Sequence, residues 1–121
     1  MVPPKTTFNG LFERNAAFDN KEPFNLPQRW LDAKSKLNLD TPYNFVCTAD
    51  IIGGNSGSPI LNRNAEVVGL VFDGNIESLP GNYWFDLRVN RCVGVHTGGM
   101  MEAIEKVYGE QDLVRELRDG K

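Results

Sequence analysis

Short apolar runs, rich in β-branched and aromatic residues, fill the middle of the chain and restrict its fold more than any other feature. They are bounded by Gly, Asn or Pro, which is typical of strands separated by turns. The predicted strands are 44–49, 58–61, 66–73, 82–85 and 92–95. Turn-forming residues at 62–65 lie between two of these runs, so 58–73 is predicted to form a β-hairpin.

Helical patterns flank the predicted strands on both sides. Segments near 11–18 and 28–37 have helical spacing, and Pro27 suits the first turn of the second helix. After the strands, apolar residues recur at spacings of three and four up to Gly109, which can end a helix. Those residues are Met100, Met101, Ile104, Val107 and Tyr108. Because strands and helices do not alternate, we predict a mainly β fold, an antiparallel β domain with appended helices.

Length and composition fit one globular domain. The chain has 121 residues, of which 40% are hydrophobic and 24% are charged, and its formal net charge is -3. Three segments are predicted: an N-terminal arm with short helices (1–40), a β portion (41–98) and a C-terminal helical segment (99–121). The acidic balance argues against nucleic acid and anionic lipid as partners. No apolar run reaches the roughly 20 residues that cross a bilayer.

Cysteine and histidine are scarce. Cys47 and Cys92 are the only cysteines, and His96 is the only histidine. These counts exclude a disulfide scaffold and a zinc site with the usual Cys/His spacing, so no metal or cofactor is predicted. The two cysteines could pair, but the sequence gives no sign that they meet. The first residues have no apolar core and no cleavage site, so a signal peptide is not expected there.

The stretch Gly53-Gly54-Asn55-Ser56-Gly57-Ser58-Pro59 is the best candidate for chemistry. A serine between glycines can act as a nucleophile, because glycine lets a substrate approach the backbone closely. The N–H groups of Gly54 and Ser56 lie two residues apart and could together hold an oxyanion. Ser56 would then attack an acyl carbon. Clusters of Gly, Asn and Ser are more often plain turns, and the cluster by itself does not distinguish the two.

This stretch, followed by a Val-Val-Gly-Leu-Val strand, resembles the serine loop of chymotrypsin-fold peptidases. The longer strings at 45–59 and 72–81 are more specific. They resemble the bacterial serine dipeptidyl peptidases of the dipeptidyl-peptidase 7 and dipeptidyl-peptidase 11 type, and Leu26-Pro27-Gln28-Arg29-Trp30 fits the same family. The resemblance extends from about Pro23 to the C-terminus.

The resemblance implies a much longer hydrolase with a chymotrypsin-like double barrel and the catalytic order His, Asp, Ser. This chain would be its C-terminal, nucleophile-bearing portion, with the His and the Asp in an upstream barrel half. The portion alone is therefore expected to be inactive. Expected partners are peptides with a free N-terminus, the upstream barrel half and a second copy of the chain. The expected location is the periplasm, the cell surface or the exterior of a Gram-negative bacterium.

Residue by residue, the resemblance makes Ser56 the nucleophile and gives the oxyanion hole to the N–H groups of Gly54 and Ser56. Asp73 would hold the α-ammonium of the substrate, whereas without the resemblance it is a turn residue that ends a strand. Gly74 would shape the pocket for the residue before the cut bond. Glycine there is typical of enzymes that prefer hydrophobic residues, which indicates the dipeptidyl-peptidase 7 type. His96 is most simply a histidine at a strand end.

Two other functions stay open. Half of a β-barrel leaves strand edges and apolar faces uncovered, so the chain could be a non-catalytic module that associates with itself. It could also be a portion of a trypsin-fold endoprotease. Ser58, in place of the second Gly of Gly-Asn-Ser-Gly-Gly-Pro, and the string Asp73-Gly74-Asn75 argue against that.

Overall fold

A five-stranded antiparallel sheet organises the computed structural model, which describes residues 4–120. The strands are β1 (Lys5–Thr7), β2 (Pro42–Cys47), β3 (Pro59–Leu61), β4 (Val67–Gly74) and β5 (Cys92–His96). Their order across the sheet is β1-β2-β5-β4-β3, and every neighbouring pair is antiparallel. Three of the four pairs join consecutive strands, and β3 and β4 are the pair that a short turn connects. The predicted antiparallel sheet with appended helices is therefore confirmed.

Helices precede and follow the sheet. They are α1 (Phe8–Ala17), α2 (Gln28–Ala33), α3 (Thr97–Glu102) and α4 (Gln111–Asp119), with a π-helical turn at Ala103–Tyr108 and 3₁₀ helices at Lys34–Lys36 and Ile76–Asn82. Together they span more residues than the strands, so the term mainly β describes only the middle of the chain. Within residues 4–120, no helix combines the length and apolarity that crossing a bilayer requires.

Local signals account for the β3–β4 turn and for the end of the π-helical turn. In the β3–β4 hairpin, Asn62 Oδ1 accepts the N–H groups of Asn64 and Glu66, and Ala65 has a φ of 62°. Gly109 has a φ of 77° and ends the π-helical turn, as predicted. In both places, the side chain or glycine that suits the turn stands at the position where the chain reverses or the helix stops.

The predicted strand at 82–85 is wrong. Asn82 ends the 3₁₀ helix Ile76–Asn82, and the N–H groups of Tyr83 and Trp84 donate to the C=O of Pro80 at 2.9 and 3.0 Å. Because these N–H groups are used within a turn, they are not available to a sheet.

Strand β1 is present in the structure but was not predicted. The sequence gives no strand there, yet the C=O of Pro4 accepts from Val46 N–H at 2.9 Å.

A helical core packs around β2. It consists of Phe8, Phe12, Ala33, Leu37, Ala103 and Val107, all buried. The ring of Phe8 is fully buried and lies 5.7 Å from the ring of Trp30 and 5.6 Å from that of Tyr43, measured between centroids. Tyr43 belongs to β2, so the helices of both flanking segments bury their apolar faces against the same strand.

Two glycines give the sheet its close packing. A Cβ at Gly69 would lie 2.5 Å from Phe45 Cε1 and 2.6 Å from the C=O of Val95, and one at Gly94 would meet Ile60 Cδ1. Glycine is therefore required at both positions by close approach. The space it leaves is filled by the side chains of Phe45 and Ile60.

Candidate active site

The serine loop, residues 52–58, connects β2 to β3 and is held by backbone hydrogen bonds. Gly57 N–H donates to the C=O of Val71 at 2.8 Å, and Val71 N–H donates to the C=O of Ser58 at 2.9 Å. Asn55 Oδ1 accepts Ile52 N–H at 2.7 Å, which closes the first half of the loop. The loop is thus attached to the middle of β4.

Two glycines on either side of Ser56 adopt conformations that favour glycine. Gly54 has a φ of 101° and Gly57 a φ of 87°. Within the described residues, the N–H groups of Gly54 and Ser56 donate no backbone hydrogen bond. Both donors are therefore available to a ligand, which is what the predicted oxyanion hole requires.

An open groove of about 290 Å³ brings together three of the predicted site residues. Ser56, Asp73 and Gly74 all line it, and Ser56 is exposed. Gly54 is in the serine loop, two residues before Ser56. A larger groove, of about 550 Å³, lies between α1 and β2 and contains none of the predicted site residues. The smaller groove is the candidate active site, because the candidate nucleophile is exposed in it.

A β-bulge positions Asp73. Val71 is opposite Gly94, but Asp73 is opposite Val93, so Phe72 is an extra residue in β4. In a regular strand, Val71 and Asp73 would share a face of the sheet. The bulge moves Asp73 to the other face and leaves it exposed, with Oδ1 accepting Gly74 N–H at 2.8 Å. The remaining acceptor sites of this carboxylate can bind a ligand.

The groove beside Gly74 is bounded by Ser78, which the sequence did not identify. A Cβ at Gly74 would lie 2.5 Å from Ser78 Oγ and 3.4 Å from Ile51 Cδ1. Ser78 Oγ donates to the C=O of Asn75 at 2.6 Å, which fixes the hydroxyl above the glycine. Within the described residues, the lining contains no Lys, Arg or His, and its aliphatic members are Ile51, Ile52, Val71 and Leu79.

Asn75 ties the wall of the groove to residues 89–91, which directly precede β5. Its Nδ2 donates to the C=O of Val89 at 2.7 Å, and its Oδ1 accepts Arg91 N–H at 2.8 Å. Backbone Asn75 N–H also donates to the C=O of Arg91 at 3.0 Å. These bonds close the base of the segment 75–91, which contains Ser78.

His96 has a structural role. It is the last residue of β5, and its Nδ1 accepts Gly98 N–H at 2.9 Å, capping α3. Its ring packs edge-on against Phe45, with centroids 5.6 Å apart. Burial and the nearby charge of Lys5 lower the pKa of His96. The interpretation as a histidine at a strand end is confirmed.

Apolar side chains are exposed along residues 72–89, the apolar surface of the chain, and two of them, Phe72 and Leu79, line the groove. Tyr83 is 95% exposed, and the other members of this apolar surface are Phe72, Ile76, Leu79, Trp84, Leu87 and Val89. The part of the chain that the structure describes contains no cluster of three or more Asp, Glu, His or Cys residues that could hold a metal ion.

Comparison with known families and proteins gives a consistent result. The family described as Peptidase S46 matches residues 1–119. The chain is 45% identical over 80 residues to dipeptidyl-peptidase 7 of Phocaeicola vulgatus, covering 66% of this chain and 11% of that protein. It is 28% identical over 144 residues to the Asp/Glu-specific dipeptidyl-peptidase of Shewanella putrefaciens, covering 94% of this chain and 19% of that protein.

A solved structure agrees with these matches. The crystal structure of Porphyromonas endodontalis DPP11 in complex with the dipeptide Arg-Glu aligns with a TM-score of 0.85 and 26% identity. The alignment covers 97% of this chain and 18% of that one. The chain therefore spans less than a fifth of the length of these relatives.

Proposed function

Because the chain belongs to the peptidase S46 family, we propose that it contributes the nucleophile and the substrate groove of a serine dipeptidyl aminopeptidase. This enzyme would remove dipeptides from the N-terminus of peptides in the periplasm or outside the cell. The observation that carries the proposal is the groove shared by Ser56, Asp73 and Gly74. The five-stranded sheet would be part of a chymotrypsin-like barrel, completed by other residues of a longer polypeptide.

Ser56 would attack the carbonyl carbon of the bond to be cut. A base removes the proton from Oγ as the Oγ–C bond forms, and the same proton goes to the leaving amine when the C–N bond breaks. The N–H groups of Gly54 and Ser56 would hold the negative oxygen in between. The only histidine of the chain, His96, caps α3 through Nδ1. We therefore infer that the base comes from outside these 121 residues.

Asp73 would set the length of the product. Its carboxylate lines the groove that contains Ser56, so it can pair with the α-ammonium of a bound peptide while Oγ reaches the second peptide bond. An ammonium and a carboxylate form a charge-assisted hydrogen bond, which favours substrates with a free N-terminus.

Gly74 and Ser78 would favour a hydrophobic residue before the cut bond. The space beside Gly74 is bounded by a hydroxyl and by aliphatic side chains, and the lining described here has no cation to offset the desolvation of a carboxylate. Asp73 adds a like charge. The relatives named Asp/Glu-specific make an acidic preference the second candidate.

The nucleophile is tested with a pair of neighbouring serines, in a polypeptide as long as the relatives. Ser56→Ala should lower kcat/KM by at least about a thousandfold, because loss of a triad member removes most of the acceleration. Ser58→Ala is the matched control and should keep kcat/KM within a fewfold, since Ser58 contributes backbone bonds to the loop. If Ser58→Ala is as damaging as Ser56→Ala, or if Ser56→Ala stays active, the proposed nucleophile is wrong.

The preference is tested with dipeptidyl fluorogenic substrates that differ only in the residue before the cut bond. We expect faster cleavage after Leu, Met or Phe than after Asp or Glu. Gly74→Arg should raise the ratio of Asp and Glu to Leu, because a guanidinium binds a carboxylate through two parallel hydrogen bonds. Faster cleavage after Asp or Glu by the parent enzyme would favour the second candidate.

A further inference from the structure

The two cysteines of the chain meet across the sheet. Cys47 of β2 lies directly opposite Cys92 of β5, although they are 45 residues apart in sequence. Val46 N–H donates to the C=O of Pro4, which directly precedes β1, so the peptide groups of the next residue, Cys47, point toward β5. Directly opposite residues of such a hydrogen-bonded pair have Cα atoms about 5.5 Å apart, within the range that disulfides span.

The two thiols differ in environment. Cys92 is fully buried, whereas Cys47 is half-buried at the end of β2. Burial, together with the neighbouring thiol of Cys47, raises the pKa of Cys92 to about 12. An oxidant in solution therefore reaches Cys47 first, and Cys92 reacts only with a partner already held beside it.

We propose that Cys47 and Cys92 are a redox site at which a small-molecule disulfide, such as oxidised glutathione, converts both thiols into a cross-strand disulfide. The Cys47 thiolate attacks one sulfur of the reagent, forming a mixed disulfide and releasing one molecule of reduced thiol. Cys92 then loses its proton and attacks Cys47 Sγ, releasing the second molecule of reduced thiol. The reagent gains the two electrons and two protons that the cysteines lose.

This bridge would enclose the whole candidate active site. The loop between Cys47 and Cys92 contains Ser56, Asp73 and Gly74, and Gly74 is opposite Cys92 on its other side. Closing a loop of about 45 residues restricts the unfolded chain and so stabilises the folded one. An unstrained bridge should raise the melting temperature of the chain by on the order of 10 °C.

The test uses the 121-residue chain, reduced and then incubated with oxidised glutathione at pH 8. Intact-mass analysis should show the loss of two hydrogens, and a non-reducing digest should contain a Cys47–Cys92 peptide. The closing rate should rise by about tenfold per pH unit between pH 7 and 9, because Cys92 must lose a proton. Incubation in urea is the control for register: the mixed disulfide should accumulate there, since strand pairing no longer holds the thiols together.

Single variants assign the order of attack. Cys92→Ser should stop at one bound glutathione, and Cys47→Ser should react at least about tenfold more slowly than the parent, because its remaining thiol is buried. The proposal is overturned if the folded parent chain keeps two free thiols or retains glutathione on Cys47. It is equally overturned if the share of chains that keep glutathione is no larger in urea than in buffer.

Discussion

The helical core and the apolar surface differ in how they use similar side chains. Phe8 and Phe12 are buried between α1, α2 and β2, whereas Tyr83 and Trp84 are 95% and 67% exposed. The core joins residues from both flanking segments. The side chains of the apolar surface are not part of that core. We therefore expect substitutions in the core to lower stability much more than substitutions in the apolar surface.

The largest expected effect is on the helical core. Phe8→Ala should lower the free energy of unfolding by about 3–5 kcal/mol, because it removes a fully buried ring and leaves a cavity. Tyr83→Ala, at a residue that is 95% exposed, should change it by less than about 0.5 kcal/mol. Urea titration of both variants measures the contrast. Equal losses would mean that the two regions do not differ in this way.

Replacing Asp73 in the groove should lower activity and leave stability unchanged. In a polypeptide as long as the relatives, Asp73→Asn should lower kcat/KM for free-amine substrates by about ten- to hundredfold, through loss of a charge-assisted hydrogen bond. Its melting temperature should stay close to that of the parent, because Asp73 is exposed. Asp50→Asn, which changes another exposed carboxylate close to the serine loop, is the matched control. An unchanged kcat/KM for Asp73→Asn would leave Asp73 as a turn residue.

Replacing two glycines by alanine should change the free energy of unfolding in opposite directions. Gly69→Ala should lower it by about 1–3 kcal/mol, because the new Cβ would press on Phe45 and on the C=O of Val95. Gly10→Ala should gain up to about 1 kcal/mol, since Gly10 lies on α1 with open space around it. Thermal unfolding measures the melting temperature of each variant against that of the parent chain. A neutral Gly69→Ala would show that the sheet is looser than the packing around Phe45 indicates.

Glu102, the last residue of α3, should stabilise the folded chain to an extent that depends on pH. Burial by itself would raise the pKa of Glu102, but hydrogen bonds from Lys106, Thr41 and Asn38 N–H outweigh burial and lower it. Because the folded pKa lies below the ordinary value of 4.5, the stabilisation is present above that pH and lost as the pH falls through the folded pKa.

Glu102→Gln should therefore lower the free energy of unfolding by about 1–2 kcal/mol at pH 7 and by less below pH 4. Urea titration at each pH measures this difference. Glu105→Gln is the control, because Glu105 pairs with Arg118 at the surface and such pairs contribute less than about 1 kcal/mol. A cost for Glu102→Gln that does not fall at low pH would exclude the charge as its cause.

The smallest effect on stability should come from the apolar surface. Replacing Tyr83 and Trp84 together by Ser should change the free energy of unfolding by less than about 0.5 kcal/mol. It should also reduce dye binding and the growth of apparent mass with concentration, because both side chains are exposed. Light scattering over about a hundredfold concentration range checks this. If the parent chain is a monomer without dye binding, the surface does not associate.

Local sequence signals predicted much of the sheet and of the candidate site. Residues at 62–65 specify the hairpin turn, Gly109 ends a helix, and glycines on both sides of Ser56 allow the positive φ angles of the serine loop. Each of these features depends on a few neighbouring residues, so the sequence alone carries the information. The predicted strand at 82–85 was wrong, although its residue types suit a strand. The turn begun at Pro80 uses the N–H groups that a strand would need.

The tertiary structure alone decided which distant residues meet. It added β1 to the sheet, placed Ser78 over Gly74, gave His96 to the start of α3 and put Cys47 opposite Cys92. Strand register and a bulge set these contacts, and both depend on how segments far apart in sequence pair and pack. The sequence by itself determined the turns, the helix ends and the candidate nucleophile. Asp73 lies on the opposite face of the sheet from Val71 because Phe72 is an extra residue in β4, and no local pattern encodes that bulge.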